Sequence, residues 1–397
     1  MCDTLCVNNS NGTVFGKSSD RPFDERQLVA GLPRRSAGGK DAPLRTQYIE
    51  IEDTGAHALI GSQPTWLWGF EHGVNEHRLA IGNETVWTTE DPHGLPPSLI
   101  GMDLVRLGLE RARTADDAVD VITSLVERHG QGGTAWESAD MPYFSSFLIA
   151  DPRGGWVIET SNRTWVARPT GGGTAISNRV SMSTDWTRSS TDVAPGTDFD
   201  TMRSPEAPTA FADLRLAATR SAVATGATAL GPREVAATLR HHGTRPWGAP
   251  GSDPAEAVPP PATVEDDWTG VTVCMHVRSY VNTTASMICE LPADDSPLRL
   301  WVALGSPCVS VYVPTFFGAI APELYQAAQW DRIRVLRDRV EADGAAIDEI
   351  RRALGPVEAA LWDEADEIAA TGNPEALAAF AARAWAPVDA ALTRLGA

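Results

Sequence analysis

Apolar residues recur along this chain with two different periods, and the order in which those periods alternate is what most limits the fold. Residues 1–60 have strand composition, with TVFGKSSD and TQYIEIED set among turn residues. GSQPTWLWGFEHGVNEHRLAIGNETVW continues as short strands and turns around glycines. SLIGMDLVRLGLERA (98–112) then changes to helical spacing, and TADDAVDVITSLVERHG (114–130) predicts a second helix. Thr114 suits its N-cap, Asp116 and Asp117 its positive N-terminus, and Gly130 the position past its end. FSSFLIADPRGGWVIETSNRTWVARP (144–169) reads as a strand ladder turning at DPRGG and TSNR, and TAISNRVSM (174–182) as another strand end. A helix is expected over 211–241, between polar, Pro-rich surface loops at 186–210 and 243–268. GVTVCMHVRSY, TASMICEL and LRLWVALG supply the last strands, and from about 319 the chain turns rich in Ala, Glu, Asp and Arg at helical spacing. This order suits an α+β arrangement of sheets covered by helices. It divides into a domain over 1–318 and a C-terminal helical extension over 319–397, either packed on that domain or contacting a second copy in a homo-oligomer.

Charge and cysteine usage narrow the partners. The formal net charge is -19, so the chain lacks the clustered cations that nucleic acid or anionic lipid requires. The longest uncharged stretch, WVALGSPCVSVYVPTFFGAIAP (301–322), is broken by Pro307 and Pro314 and reads as buried strands, not as a membrane span. The first residues lack a basic n-region and an apolar h-region. Five cysteines form no CxxC and no even framework, which fits reduced thiols in a cytoplasmic protein.

One of those cysteines directly follows Met1. Methionine is usually trimmed before a small side chain, so Cys2 is expected at the mature N-terminus. There a thiol and an α-amine would share one residue. The amine, with an ordinary pKa of about 7.7–8.0, can take the thiol proton near neutral pH. Cys6 lies on the same face of a strand and is the competing nucleophile, though it lacks an adjacent amine. FGKSSDR adds Lys17, Asp20 and Arg21, a cation to lower a thiol pKa and a carboxylate to orient an ammonium. Asn75, Asn83 and Asn178 are amides able to donate to an oxyanion. His72 and His77 are five apart and do not form an HExxH pair, and the adjacent His241 and His242 diverge on any element, so no metal site is expected from either. No G-x-S-x-G elbow, Walker A sequence or dinucleotide fingerprint is present.

Taken in order, CDT (2–4), FGKSSDRP (15–22), DE (24–25), YIEIE (48–52), QPTWLWGFEHGVNEH (63–77), IGNETVW (81–87), GMDLVRLGLERA (101–112), GQGG (130–133), SFLIAD (146–151), WVIET (156–160), ISN (176–178) and TTASM (283–287) resemble the secernin and cysteine dipeptidase family of N-terminal nucleophile hydrolases. The resemblance covers roughly residues 1–315. It implies a four-layer αββα sandwich with Cys2 as nucleophile at the start of a central strand, Asp20 near the α-amine, and Lys17 beside the thiol. Asn83 and Asn178 would flank the oxyanion and the amine. Trp66, Trp68, Asn75 and Arg278 are the implied substrate contacts, Arg278 as a further cation near the thiol. Ser18 stands where Asn is frequent, and Arg78 where the family usually carries Gly after NEH. The implied activity is hydrolysis of a small peptide or acyl-amide through a Cys2 thioester, without metal or organic cofactor. Acyl transfer to an amine or alcohol, or a non-catalytic interaction role, are its alternatives.

Overall fold

The structure, a computed structural model, describes residues 1–207, 209–226, 230–242, 271–277 and 281–397. Its elements run β1 (Cys2–Asn9), β2 (Gly12–Pro22), β3 (Gln27–Leu32), β4 (Gly39–Arg45), β5 (Glu50–Asp53), β6 (Leu59–Pro64), β7 (His72–Asn75), β8 (Ala80–Val86), α1 (Gly101–Arg111) and α2 (Ala115–His129). They continue with β9 (Phe144–Asp151), β10 (Gly154–Ser161), β11 (Thr164–Pro169), β12 (Gly173–Ile176), β13 (Arg188–Ser189), α3 (Thr209–Gly226), α4 (Pro232–Leu239), β14 (His276–Val277), β15 (Val281–Pro292), β16 (Arg299–Leu304) and β17 (Val313–Phe316). Helices α5 (Ala327–Ala342), α6 (Ala346–Thr371), α7 (Pro374–Ala381) and α8 (Trp385–Arg394) close the chain.

The strands form two large antiparallel sheets. The first has the order β12-β1-β2-β15-β16-β17, with β14 also on β15; the second runs β13-β11-β10-β9-β8-β7-β6-β3. Helices α1 and α2 cover the second sheet, burying Leu104, Leu107, Val119 and Ile122 against Ile81, Phe147 and Ile158. Helices α3 and α4 cover the first, with Leu216, Val235 and Leu239 packed on Leu5, Val7 and Ile288. Between the sheets lies a third cluster that includes Cys6, Phe15, Val74, Leu148 and Met287. The architecture is therefore an α+β sandwich of four layers, αββα.

Strand periodicity explains how the layers are fed. In β1, Leu5 and Val7 face the helices while Cys6 faces the other sheet. In β2, Gly16 admits α4, since a Cβ there would lie 2.4 Å from Val235 Cγ1. Its neighbour Lys17 points inward, and Gly82 of β8 leaves the space: a Cβ at Gly82 would stand 2.5 Å from Lys17 Cδ. A glycine on one sheet thus accommodates a buried cation from the other.

The expected N-cap of α2 is formed: Thr114 Oγ1 accepts from Asp117 N–H at 3.1 Å, and Gly130 follows the helix at φ 74°. The helix expected over 211–241 is instead two, α3 and α4. Pro232, with no N–H to continue a helix, starts the second, and Glu234 accepts from Gly231 N–H at 2.9 Å. GVTVCMHVRSY contributes only the short β14 among its described residues, and 243–268 lies outside them. Arg78 holds φ 63° between β7 and β8, a left-handed conformation that glycine adopts without strain. No helix among the described residues is long and apolar enough to cross a membrane.

Helices α5–α8 do not stand apart. Trp330, Leu336, Leu354 and Trp385 belong to the same buried cluster as Leu300, Val313 and Phe316 of the first sheet. Trp330 Nε1 donates to Thr284 O at 2.8 Å, and Thr284 sits in a register break of β15 opposite Ser19 and Asp20. A bulge of this kind re-aims side chains. Trp330→Ala removes both the buried ring and that hydrogen bond, and should destabilise the whole protein by about 3–5 kcal/mol in a denaturant titration. A loss below about 1 kcal/mol would mean that α5 is peripheral to the cooperative core.

Candidate active site

Cys2 opens β1, fully paired to β2 (Cys2↔Ser19, Thr4↔Lys17), so the start of a central strand holds it rigidly. Its backbone N–H donates to Asn178 Oδ1 at 2.7 Å, and Asn178 Nδ2 donates to Thr85 O at 3.1 Å. Asn178 lies just beyond β12, the strand paired to the other side of β1. Met1 continues outward, its amine donating to Asp20 O at 3.0 Å.

Two buried ionic groups surround Cys2. On the helix side, Arg215 of α3 donates from Nη1 to Asp3 Oδ2 (2.6 Å) and Cys2 O (3.0 Å), and from Nη2 to Asn178 Oδ1 (2.7 Å). Asp20 joins at 3.6 Å from Arg215 Nη1, and Thr283 Oγ1 donates to Asp20 Oδ1 at 2.7 Å. Asp20 Oδ2 is buried without a hydrogen-bond donor. Burial pushes the Asp20 carboxyl up, and the chain amine and Arg215 oppose this. An α-ammonium on Cys2 would meet Asn178 Oδ1 on one side and this carboxylate nearby.

On the inter-sheet side, Arg21 donates to Glu71 Oε1 (3.0 Å) and to Glu25 Oε1 (3.0 Å). Glu71 Oε2 lies 4.0 Å from Cys2 Sγ. Lys17 is 3.8 Å from Glu84, whose Oε1 accepts from Thr4. Burial pulls the Lys17 ammonium down, but Cys2, Glu84 and Glu71 outweigh it and raise it above the lysine range. Burial pushes the Cys2 thiol up; Lys17 opposes this and Glu71 reinforces it. With Met1 attached, the thiol is therefore protonated at neutral pH.

The structure brings together Cys2, Lys17, Asp20, Asn83 and Asn178. Asn83 arrives with its amide nitrogen placed to donate to Glu71 O (2.9 Å) and Oε2 (3.2 Å), so an oxyanion there competes with Glu71. Trp66 borders the site through Glu25, to which its Nε1 donates at 2.6 Å. Trp68 does not reach it: the ring lies against α1, with Arg106 Cζ 3.9 Å from its centroid. Asn75 is a correction as well. Its Nδ2 donates to Leu109 O (2.9 Å) and Ala112 O (2.8 Å), and its Oδ1 accepts from His77 and Leu79 N–H. It ties down the end of α1, with no group left for substrate. Arg278 lies outside the described residues. Arg215 is a further cation near Cys2; its signal in the sequence was an arginine on the buried helix face of Phe211, Ala212, Leu216 and Thr219. Glu71 carried no such signal.

Beside the site, a cleft of about 490 Å³ is lined by Trp87, Glu90, Asp91, Tyr143 and Glu206. Tyr143 connects the two, since its phenol is pushed up by burial and by Glu71, and more weakly by Cys2. Elsewhere among the described residues, His242, Cys274, His276 and Cys308 converge from segments far apart in the sequence.

No protein-family model matches the chain. Among solved structures it is similar to the C2A variant of conjugated bile acid hydrolase from Clostridium perfringens (12% identity, TM-score 0.44, covering 76% of this chain and 88% of the other). It is similar to penicillin V acylase from Agrobacterium tumefaciens (13%, 0.41, 82% and 88%). It is also similar to the N-acylethanolamine-hydrolyzing acid amidase ortholog of Caenorhabditis elegans (11%, 0.39, 74% and 94%). At this distance the chemistry rests on the residues themselves.

Those residues make opposite predictions for the thiol. Lys17→Met removes the charge that favours thiolate, so the pH profile of Cys2 alkylation, followed by mass mapping, should move to higher pH. Glu71→Gln should move it to lower pH. Unchanged profiles in both variants would mean that neither charge reaches Cys2 Sγ.

Proposed function

We propose that the protein is a cysteine-dependent amidohydrolase that cleaves small amides after Met1 is removed. The observation that carries this reading is the placement of Cys2 N, 2.7 Å from Asn178 Oδ1 and beside the Arg215–Asp20 group. Once free, that nitrogen is the base. It takes the Cys2 proton, and the thiolate attacks the carbonyl carbon. The oxyanion displaces Glu71 Oε2 from the Asn83 amide, a donor whose loss typically costs about 2.7–4 kcal/mol in such steps. The α-ammonium returns the proton to the leaving amine, leaving a Cys2 thioester. Water, deprotonated by the same amine, then releases the acid and restores the thiol.

Arg215 is a positioning residue in this scheme: it holds Asp3, Asn178 and the Cys2 carbonyl, and neutralises the carboxylates that orient the amine. Glu90, Asp91 and Glu206 in the cleft favour a substrate with a free amine, as does the resemblance to cysteine dipeptidases. A dipeptide or similarly small amine-bearing amide fits that volume.

The intact mass of the purified protein, followed by a screen of dipeptides and acyl-amides, tests the reading. Loss of Met1 with turnover is expected, and Cys2→Ala should abolish turnover while leaving the unfolding transition in place. Full activity in Cys2→Ala would overturn it. Adding amine acceptors distinguishes hydrolysis, in which the free acid accumulates, from acyl transfer.

A further inference from the structure

Away from Cys2, two thiols and two imidazoles meet at one point. His242 follows α4, Cys274 and His276 flank Met275 at β14, and Cys308 sits in the one-turn 3₁₀ helix Pro307–Val309. Their ligand atoms all lie within 4.8 Å of one another. His276 Nε2 is 3.4 Å from Cys274 Sγ and 3.3 Å from Cys308 Sγ. Tetrahedral zinc, with bonds of about 2.3 Å to sulfur and about 2.0–2.1 Å to nitrogen, has S···N edges near 3.6 Å. The cluster has the dimensions of a single ion's shell.

The surroundings match as well. The other ring nitrogen of His276, Nδ1, faces Glu341 Oε1 of α5 at 3.1 Å. Glu341 in turn accepts from Asn282 Nδ2 at 2.7 Å and lies 3.9 Å from Arg337 Nε. A carboxylate on the far nitrogen fixes the tautomer and orientation that a metal-bound imidazole needs. Cys274, His276 and Cys308 are buried, and His242 is half-buried. Two thiolates balance the charge of a divalent ion, and a closed set of two sulfurs and two nitrogens selects zinc over calcium or magnesium.

We propose that His242, Cys274, His276 and Cys308 bind one zinc ion as a closed structural site. It ties together the end of α4, β14 and the turn after β16, and through Glu341 it joins α5 to them. The site also reaches the catalytic region. Met275, between two ligands, donates its N–H to Thr283 Oγ1 at 2.8 Å, and Thr283 is the donor to Asp20. Ser306, which begins the turn bearing Cys308, donates to Thr283 O at 2.9 Å. The ion therefore holds the residue that positions Asp20, while four protein ligands leave it no open position for substrate.

The test uses the full chain, purified without a polyhistidine tag from zinc-supplemented cells. Elemental analysis should find about one equivalent of zinc per chain, released by a thiol-specific mercurial and lost in Cys274→Ser and Cys308→Ser. Should those variants fail to fold, cobalt exchange into the unmodified protein decides, because two thiolate ligands give an intense sulfur-to-cobalt charge-transfer band. Glu341→Gln should keep the ion but surrender it at about 10–100-fold lower chelator concentration. Protein lacking stoichiometric metal and showing no such band, or a Cys274–Cys308 disulfide in the purified chain, would overturn the proposal.

Discussion

Burying charge at the start of β1 is the constraint on which the rest of the structure depends. Asp3, Lys17, Asp20, Arg21, Glu71, Glu84 and Arg215 are all almost wholly shielded from water. Isolated charges in such a place cost several kcal/mol each, and removing one partner of a buried pair commonly costs about 3–5 kcal/mol. Each must therefore meet a partner, and the partners come from different layers. Arg215 is on a covering helix, Asp3 and Asp20 on the first sheet, Glu71 and Glu84 on or beside the second. Arg21 has a local partner in Glu25, but Arg215 with Asp3, Lys17 with Glu84, and Arg21 with Glu71 meet only when the layers are assembled. This makes the region rigid, as the proposed nucleophile and its base would require.

The same reasoning explains why the end of the chain matters to its beginning. Trp330 of α5 bonds the bulged Thr284, and Thr283 beside it holds Asp20. Residues far apart in sequence meet at β15 because β15 pairs with β2 along nearly its whole length, from Val281↔Pro22 to Pro292↔Gly12. Whatever fixes β15, whether α5 or the His–Cys cluster at β14, fixes the orientation of a carboxylate beside Cys2.

Much of the layering was legible in the periodicity. Both helices over 98–130 and the ladder over 144–169 form close to where their patterns place them, because each presents one continuous apolar face to a sheet. The split at Pro232 follows from a local rule. The site was only partly legible. Cys2, Lys17 and Asp20 lie within twenty residues, in two strands joined by a tight turn, so proximity in sequence became proximity in space. Asn75 looked the same as Asn83 in sequence, since both are amides near glycines. Only the fold shows that one holds the end of α1 and the other faces Glu71.

The sequence by itself determined the alternation that puts Cys2, Thr4 and Cys6 on one face of β1, the two-helix cover and the net negative charge. Those features are local, set by period-two and period-3.6 geometry and by composition. Tertiary structure alone decided that Arg215 also stands by Cys2, which amide is available, and that two cysteines and two histidines from three separate segments converge. Such choices depend on β-pairing across hundreds of residues and on the need of every buried charge or ligand for a partner. No short window of sequence holds Arg215 with Asp3, or His242 with Cys274 and Cys308.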